Sequence, residues 1–329
     1  MLPGGWFAAG TRVSALVPRP SALDAGAVDA GAVDPIRRGG AVPSSPTGNV
    51  LRNDYERKVN AHWEDKRDDP VNLLLGADDG LYHHHYGIDA PDPDALTGPP
   101  HGLQRRIARE LHRMESAQAD LVLSALGEVP ASARILDAGS GRGGTSFMAH
   151  DRFGCAVDGV NFCSHHVELA SDLARRRGCG DRVRFHRANM VATPFADGAF
   201  DRVITNESTM YVDLDEAFAE FARLLRPGGR HVLVTGCHND AVTGRAPEGE
   251  AIDRHYDCRI HRRSTYFRAL ADHGLAPLQV TDLTARAIPC WELRARSDLR
   301  TGVETAFLDG YRSGRVNYLL VVAERVVDR

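Results

Sequence analysis

The 329-residue chain contains no apolar run near the roughly 20 residues that cross a bilayer. Its first 20 residues hold no unbroken apolar stretch of the length a secretory leader uses. Basic excess is also missing: 44 acidic against 40 basic residues leave a formal net charge of −4. That balance speaks against a dedicated nucleic-acid binder, although it leaves room for a local basic pocket that takes a phosphorylated small molecule. Six cysteines (Cys155, Cys163, Cys179, Cys237, Cys258 and Cys290) form no C-x-x-C pair, so neither a zinc cluster nor a disulfide framework is expected. With 43% hydrophobic residues there is ample material for one sizeable core, and a cytoplasmic chain with no nucleic-acid or membrane partner is expected.

Composition divides the chain. Residues 1–50 are rich in Ala, Gly and Pro, repeat DAGAV at 24–28 and 29–33, and are expected to be a disordered tail. Residues 51–128 carry helical patterns at NDYERKVNAHWED and GLQRRIARELHRMESAQADLVLSALG, with an irregular stretch between them, and form the expected N-terminal helical cap. From 129 to 329 short apolar strands (133–139, 155–160, 182–186, 200–206, 230–236 and 316–326) alternate with helical segments such as 216–229. Such alternation predicts an α/β fold, a doubly wound, mostly parallel sheet with helices on both faces. The segment 237–255, polar and punctuated by Gly and Pro, reads as a mobile lid.

LDAGSGRGG (136–144) follows one strand and opens a helix, and Gly139, Gly141 and Gly143 let the backbone turn close to a ligand. Three companions favour S-adenosylmethionine over a dinucleotide: Asp137 just before the glycines, Asn189-Met190 after the third strand, and LLRPGG (224–229) before the fifth. Methyltransferases of class I, with their Rossmann-like seven-stranded sheet, place a carboxylate, an adenine-binding Asp or Asn and such a turn in that order. Most also carry an acid at the end of the second strand for the ribose. Here the equivalent place holds Asn161, with His166 nearby, and Asp158 lies before Gly159.

Longer stretches go further. PVNLLLGADDGLYHHHYGI (70–88), ELHRMESAQA (110–119), NESTMYVDL (206–214) and PCWELRARSDLRTGVETAF (289–307) resemble the prenyl diphosphate C-methyltransferases that methylate C2 of geranyl diphosphate, over about residues 53 to 326. The resemblance implies methylation through a C3 carbocation to 2-methylgeranyl diphosphate, the precursor of 2-methylisoborneol-type terpenes. It implies Glu207 as the base, with Tyr86, Tyr256 and Asn72 beside the reacting alkene. It implies a magnesium ion carried mainly by the substrate diphosphate, and a homo-oligomer, of which a hexamer is the first expectation. For the diphosphate, Arg142, His83, His85 and Arg259 are the expected contacts. An extended backbone would put His83 and His85 on one face and His84 on the other, so no three-histidine metal site and no protein metal ligand is expected. Tyr82, Tyr211 and Trp291 are further pocket-wall expectations.

Two other readings stay open at this point. A sister enzyme could methylate isopentenyl or farnesyl diphosphate, or another alkene carbon. A cofactor-binding protein without catalysis would keep the glycine loop yet have no need of Glu207 and Tyr86.

Overall fold

The computed structural model describes residues 50–326, apart from 244–245 and the side chain of Asn72. The body of the expected tail, 1–49, and the Asn72 side chain therefore lie outside the described residues.

Helix α1 (Asp54–Glu64) starts where the Asn53 side chain accepts the Glu56 amide at 2.9 Å, with Asp54 and Glu56 complementing the positive end of the helix dipole. Helix α2 (Pro70–Leu74) follows, capped by Asp69, and α3 (Leu103–Ala125) completes the N-terminal segment. Alternation then sets in: β1 (Arg134–Ala138), α4 (Gly144–Phe153), β2 (Ala156–Asn161), α5 (Ser164–Arg176), β3 (Val183–Arg187), β4 (Phe200–Asn206), α6 (Leu214–Leu224) and β5 (Leu225–His238). The last part comprises α7 (Pro247–Tyr256), α8 (Arg263–Asp272), β6 (Leu275–Asp282), α9 (Thr284–Ala295), α10 (Glu304–Arg312) and β7 (Val316–Arg325).

The strands form one seven-stranded sheet in the order β3-β2-β1-β4-β5-β7-β6, parallel except for β7, which runs antiparallel to β5 and β6. Strand β7 shows why both faces are filled. Val316, Tyr318, Leu320 and Val322 pack with residues of α3, α4, α9 and α10, while Leu319, Val321 and Ala323 pack with those of α6 and α8. A strand buried on both sides reads as a continuous apolar run, as β7 does. The order of strands reverses between β1 and β4, and the crevice beyond the carboxyl ends of such strands is where open α/β sheets bind ligands. Gly139 leaves β1 and Glu207 leaves β4 at that point.

Several expectations are corrected. The stretch 237–255 carries more regular structure than its Gly and Pro content suggests: β5 runs to His238, and α7 begins at Pro247 with Ile252 buried. Proline sits at the first helical turn, where its missing N–H costs nothing. The helical reading of 216–229 runs too long, because α6 ends at Leu224 and Leu225 already pairs with Phe200. Strand β6 is an additional strand beyond those expected, an exposed edge carrying Pro277. The described residues 50–326 belong to one compact unit, in which Phe307 and Tyr311 of α10 line the same pocket as Trp63 of α1. Among the described residues no helix is long and apolar enough to cross a membrane.

Candidate active site

Three adjoining chambers meet at the switch point. Trp63, at the end of α1, and His84 line all three. Glu207 and Tyr211 join the first chamber to the second, and Tyr86 and Tyr256 join the second to the third.

The first chamber is built on the glycine turn. Gly139 has φ +87°, and a Cβ there would stand 2.3 Å from the Ser208 Cβ; Gly141 has φ +52°, and its Cβ would stand 2.9 Å from the His84 ring. Only glycine leaves this cradle open. Asn161, His166 and Met190 line the same chamber. His166 is buried, and neither of its ring nitrogens has a hydrogen-bond partner; the same holds for His84. Burial holds both rings well below the usual histidine range, so they are neutral and each offers one donor and one acceptor to a polar ligand. The Asn161 side chain accepts the Cys163 amide at 2.8 Å. A cradle that any Cβ would fill, walled by unsatisfied neutral donors and acceptors, fits an adenosyl ligand.

Asp137 and Asn189 lie behind this wall rather than on it. Asp137 is buried, pushed up to about 6 by desolvation, and accepts the Ser146 hydroxyl at 2.6 Å, which ties β1 to α4. The Asn189 amide donates to the Val50 carbonyl at 3.2 Å and accepts from Val191, so its neighbours Ala188 and Met190 face the chamber instead. In this arrangement the Asn189 side chain is turned away from the chamber. Gly143, at φ +91°, packs against Phe185 and caps α4 without reaching the chamber.

The second chamber is aromatic. Tyr86 sits 4.1 Å from the Trp291 ring and 6.2 Å from Tyr256 by ring centroids, and Trp291 stacks on Phe307 at 3.9 Å. Glu207 enters this chamber from a left-handed backbone, φ 52°, held by its amide donating to the Val234 carbonyl at 2.9 Å. A non-glycine residue in that region costs about 1–3 kcal/mol, and such strain collects at functional sites. Its Oε1 accepts the Tyr86 amide at 3.2 Å and the Tyr318 hydroxyl, so Oε2 is the oxygen available to a ligand. Burial pushes the Glu207 carboxyl up to about 8, against the pull of those donors. Gln118 donates to the Tyr318 hydroxyl at 3.1 Å and exchanges hydrogen bonds with Asn206, fixing Tyr318 from behind.

The third chamber is polar, with Lys66, Arg294, Thr301, His83, His85 and Glu115 on its walls. His83 and His85 share a face, 3.1 Å apart between ring nitrogens, while His84 turns to His166 at 4.6 Å between centroids. Burial lowers His83 well below the usual histidine range and His85 to about 4, so both act as neutral hydrogen-bonding groups. Arg142 and Arg259 do not join them. Arg142 is fully buried and donates to the carbonyls of Lys66 and Arg67, where it pins the α1–α2 connection. Arg259 is exposed, lies 4.1 Å over the Tyr55 ring and lines a separate outer groove. Lys66 and Arg294 are cations that the sequence analysis did not single out: Lys66 follows α1 with no local motif, and Arg294 is one of several arginines in the 289–307 stretch. Tyr82 lines none of the three chambers; Tyr211 lines the first two, and Trp291 backs the second. Trp63, Phe307 and Tyr318 were also missed, because nothing in a helix end or a wholly apolar strand distinguishes a pocket aromatic from a core one.

A methyltransferase-domain family model matches residues 135–229, the stretch from β1 into β5. The geranyl diphosphate 2-C-methyltransferase of Saccharopolyspora erythraea is 48% identical over 272 residues, spanning 83% of this chain and 95% of that one. A solved geranyl diphosphate methyltransferase in complex with GPP and sinefungin is 47% identical, with TM-score 0.81, covering 83% of this chain and all of that one. The geranyl diphosphate C-methyltransferase of Streptomyces coelicolor A3(2), solved with Mg2+, geranyl-S-thiolodiphosphate and S-adenosyl-L-homocysteine, is 43% identical with TM-score 0.82 and covers 84% of this chain. The sheet order and the glycine cradle define a class I S-adenosylmethionine-dependent methyltransferase. Within that class, the chain belongs to the geranyl diphosphate 2-C-methyltransferase family.

Proposed function

We propose that the chain transfers a methyl group from S-adenosylmethionine to C2 of geranyl diphosphate, giving (E)-2-methylgeranyl diphosphate. The observation that carries this reading is Glu207, a half-buried carboxylate on the boundary between a cofactor cradle and an aromatic chamber. In the bound state S-adenosylmethionine supplies an electrophilic methyl and a positive charge beside Glu207. The Gly139–Gly141 turn, Asn161, His166 and the backbone around Met190 hold it.

The substrate's prenyl chain occupies the aromatic chamber. As C2 gains its methyl, positive charge develops on C3, and the ring faces of Tyr86, Tyr256 and Trp63 stabilise it through their quadrupoles. Glu207 Oε2 then takes the C2 proton and the alkene re-forms. The tight aromatic wall keeps water from the cation. Lys66 and Arg294 bind the diphosphate in the polar chamber, with His83 and His85 donating neutral hydrogen bonds. Asp69 already caps α2 and pairs with Lys66 at 3.7 Å, and burial raises Glu115, so a magnesium ion there fits best on phosphate oxygens and water. The position of Asn72 in α2, beside this chamber's Val71, keeps it a candidate contact. The family's homo-oligomer, a hexamer as first expectation, a cytoplasmic location and a downstream cyclase leading to 2-methylisoborneol-type products belong to the same reading.

The test is a product assay with labelled S-adenosylmethionine, magnesium and separate dimethylallyl, isopentenyl, geranyl and farnesyl diphosphates. Geranyl diphosphate is expected to yield 2-methylgeraniol after dephosphorylation, and methylation of another carbon or no label transfer would overturn the reading.

Tyr318 positions the base and lowers its pKa. In Tyr318→Phe the carboxylate loses a charge-assisted hydrogen bond of about 1.5–3 kcal/mol, which moves its pKa upward by about one unit or more. The acid limb of kcat/KM is therefore expected to shift to higher pH with little change in the alkaline plateau. A limb that stays in place while the plateau falls would reduce Tyr318 to a packing role.

A further inference from the structure

Gly236 is a buried glycine within β5, and glycine inside a strand costs about 0.5–1 kcal/mol relative to alanine. The usual reasons for accepting that cost are absent. Gly236 is not among the residues with positive φ. It pairs with Tyr318 inside an unbroken antiparallel register, so no bulge is involved. No backbone or side chain approaches it either: a Cβ built there would meet no atom within 4 Å. Because the residue is buried, that empty space is interior, and Gly236 lines the aromatic chamber. The cradle glycines contrast with it, since a Cβ on Gly139 or Gly141 would strike a neighbour.

The chamber's ends can be told apart. The residues it shares with the cofactor chamber include Glu207 and Tyr211, and those it shares with the polar chamber include Tyr86 and Tyr256. Gly236, Met210, Ile252, Ile260 and Tyr311 line the aromatic chamber alone. A substrate whose diphosphate lies in the polar chamber and whose C2 lies at Glu207 sends its hydrocarbon tail toward this private wall. We propose that Gly236 determines chain length, the missing side chain leaving room for the second five-carbon unit of the substrate. The inference rests on the prenyl diphosphate reading above.

The test uses full-length protein with S-adenosylhomocysteine and magnesium present, and measures the affinities of geranyl and dimethylallyl diphosphate by calorimetry. Dimethylallyl diphosphate carries the same C2=C3 alkene but only one five-carbon unit. In Gly236→Ala the geranyl affinity is expected to fall about tenfold, and in Gly236→Val about a hundredfold or more, with dimethylallyl affinity changed by less than about threefold, the range one to three carbons command in an apolar pocket. The affinity for S-adenosylhomocysteine and the melting temperature report folding, and the alanine variant decides the matter if valine proves unstable. Equal weakening of both substrates would place Gly236 at the shared head of the chain and overturn the inference. Unchanged geranyl affinity would overturn it as well. Wild-type protein that neither binds nor methylates any prenyl diphosphate would remove the functional reading, and this inference with it. A wild type that does both, with no chain-length effect in the variants, removes the inference alone.

Discussion

Glu207→Gln is expected to lower methyl transfer to geranyl diphosphate about a thousandfold, the middle of the range a positioned general base supplies. Glutamine keeps the size of the side chain and an oxygen able to accept from the Tyr86 amide and the Tyr318 hydroxyl, so the left-handed turn and the chamber shape survive. What disappears is the lone pair that takes the C2 proton. Affinity for the uncharged S-adenosylhomocysteine, read by calorimetry, should change by no more than about threefold, since the glycine turn, Asn161 and His166 stay in place and no cofactor charge is lost from its partner. The pH profile gives an independent check. Burial pushes the Glu207 carboxyl up to about 8, so below that pH the group holds its proton in the ligand-free protein and cannot act as a base. Wild-type kcat/KM should therefore rise with pH through the Glu207 titration, and the residual activity of the glutamine variant should lose that limb. A positive charge in the cofactor chamber favours the carboxylate, so the limb in kcat should lie at lower pH than in kcat/KM. Near-wild-type turnover in Glu207→Gln would remove the residue from the role of base.

Gly139→Val carries the second large effect. A side chain at φ +87° costs about 1–2 kcal/mol, and the 2.3 Å approach of a Cβ to Ser208 adds about 1–3 kcal/mol of overpacking. The turn can escape only by shifting into the chamber, because Ser208 is itself held by its hydroxyl donating to the Ala138 carbonyl at 2.7 Å. About 2–5 kcal/mol against the cradle corresponds to a loss of cofactor affinity between about thirtyfold and a few thousandfold. Calorimetric titration with S-adenosylhomocysteine measures it. A dissociation constant within threefold of wild type, in a protein with an unchanged melting temperature, would show that the cradle is not where the cofactor binds.

The two variants divide the site along the line where Glu207 stands. In the proposed function, cofactor contacts depend on backbone shape at the end of β1, whereas proton transfer depends on one strained residue at the end of β4. Because the parallel pairing of β1 with β4 is central and buried, both ends are held by the same rigid sheet. This rigidity lets a carboxylate of raised pKa face a cofactor cradle and an aromatic chamber at once.

The sequence by itself determined the class of fold, the glycine turn between β1 and α4 and the residues most marked by local chemistry. Strands buried on both faces are continuous apolar runs, and a glycine turn between strand and helix is a local event, so both are written in neighbouring residues. Glu207 and Tyr86 were legible as lining residues because each sits in an unusual short stretch, whereas Tyr256 came only through the resemblance. The alternation of the histidine run was legible too: extended backbone separates His83 and His85 from His84, and the structure pairs them in that way. Tertiary structure alone decided which charges meet the polar chamber. Arg142 stands in the cofactor loop, yet its long side chain turns inward to the carbonyls of Lys66 and Arg67, while Lys66 itself and Arg294, 228 positions apart in the numbering, converge on one wall. Asn189 likewise follows the third strand as expected, but its amide is drawn to the Val50 carbonyl by the N-terminal segment packing over it. The empty space above Gly236 was equally invisible, since a glycine in a strand looks the same whether its neighbours fill the gap or leave it. Local backbone preference is encoded residue by residue; the direction of a long side chain and the presence of a void depend on elements that meet only when the sheet has formed.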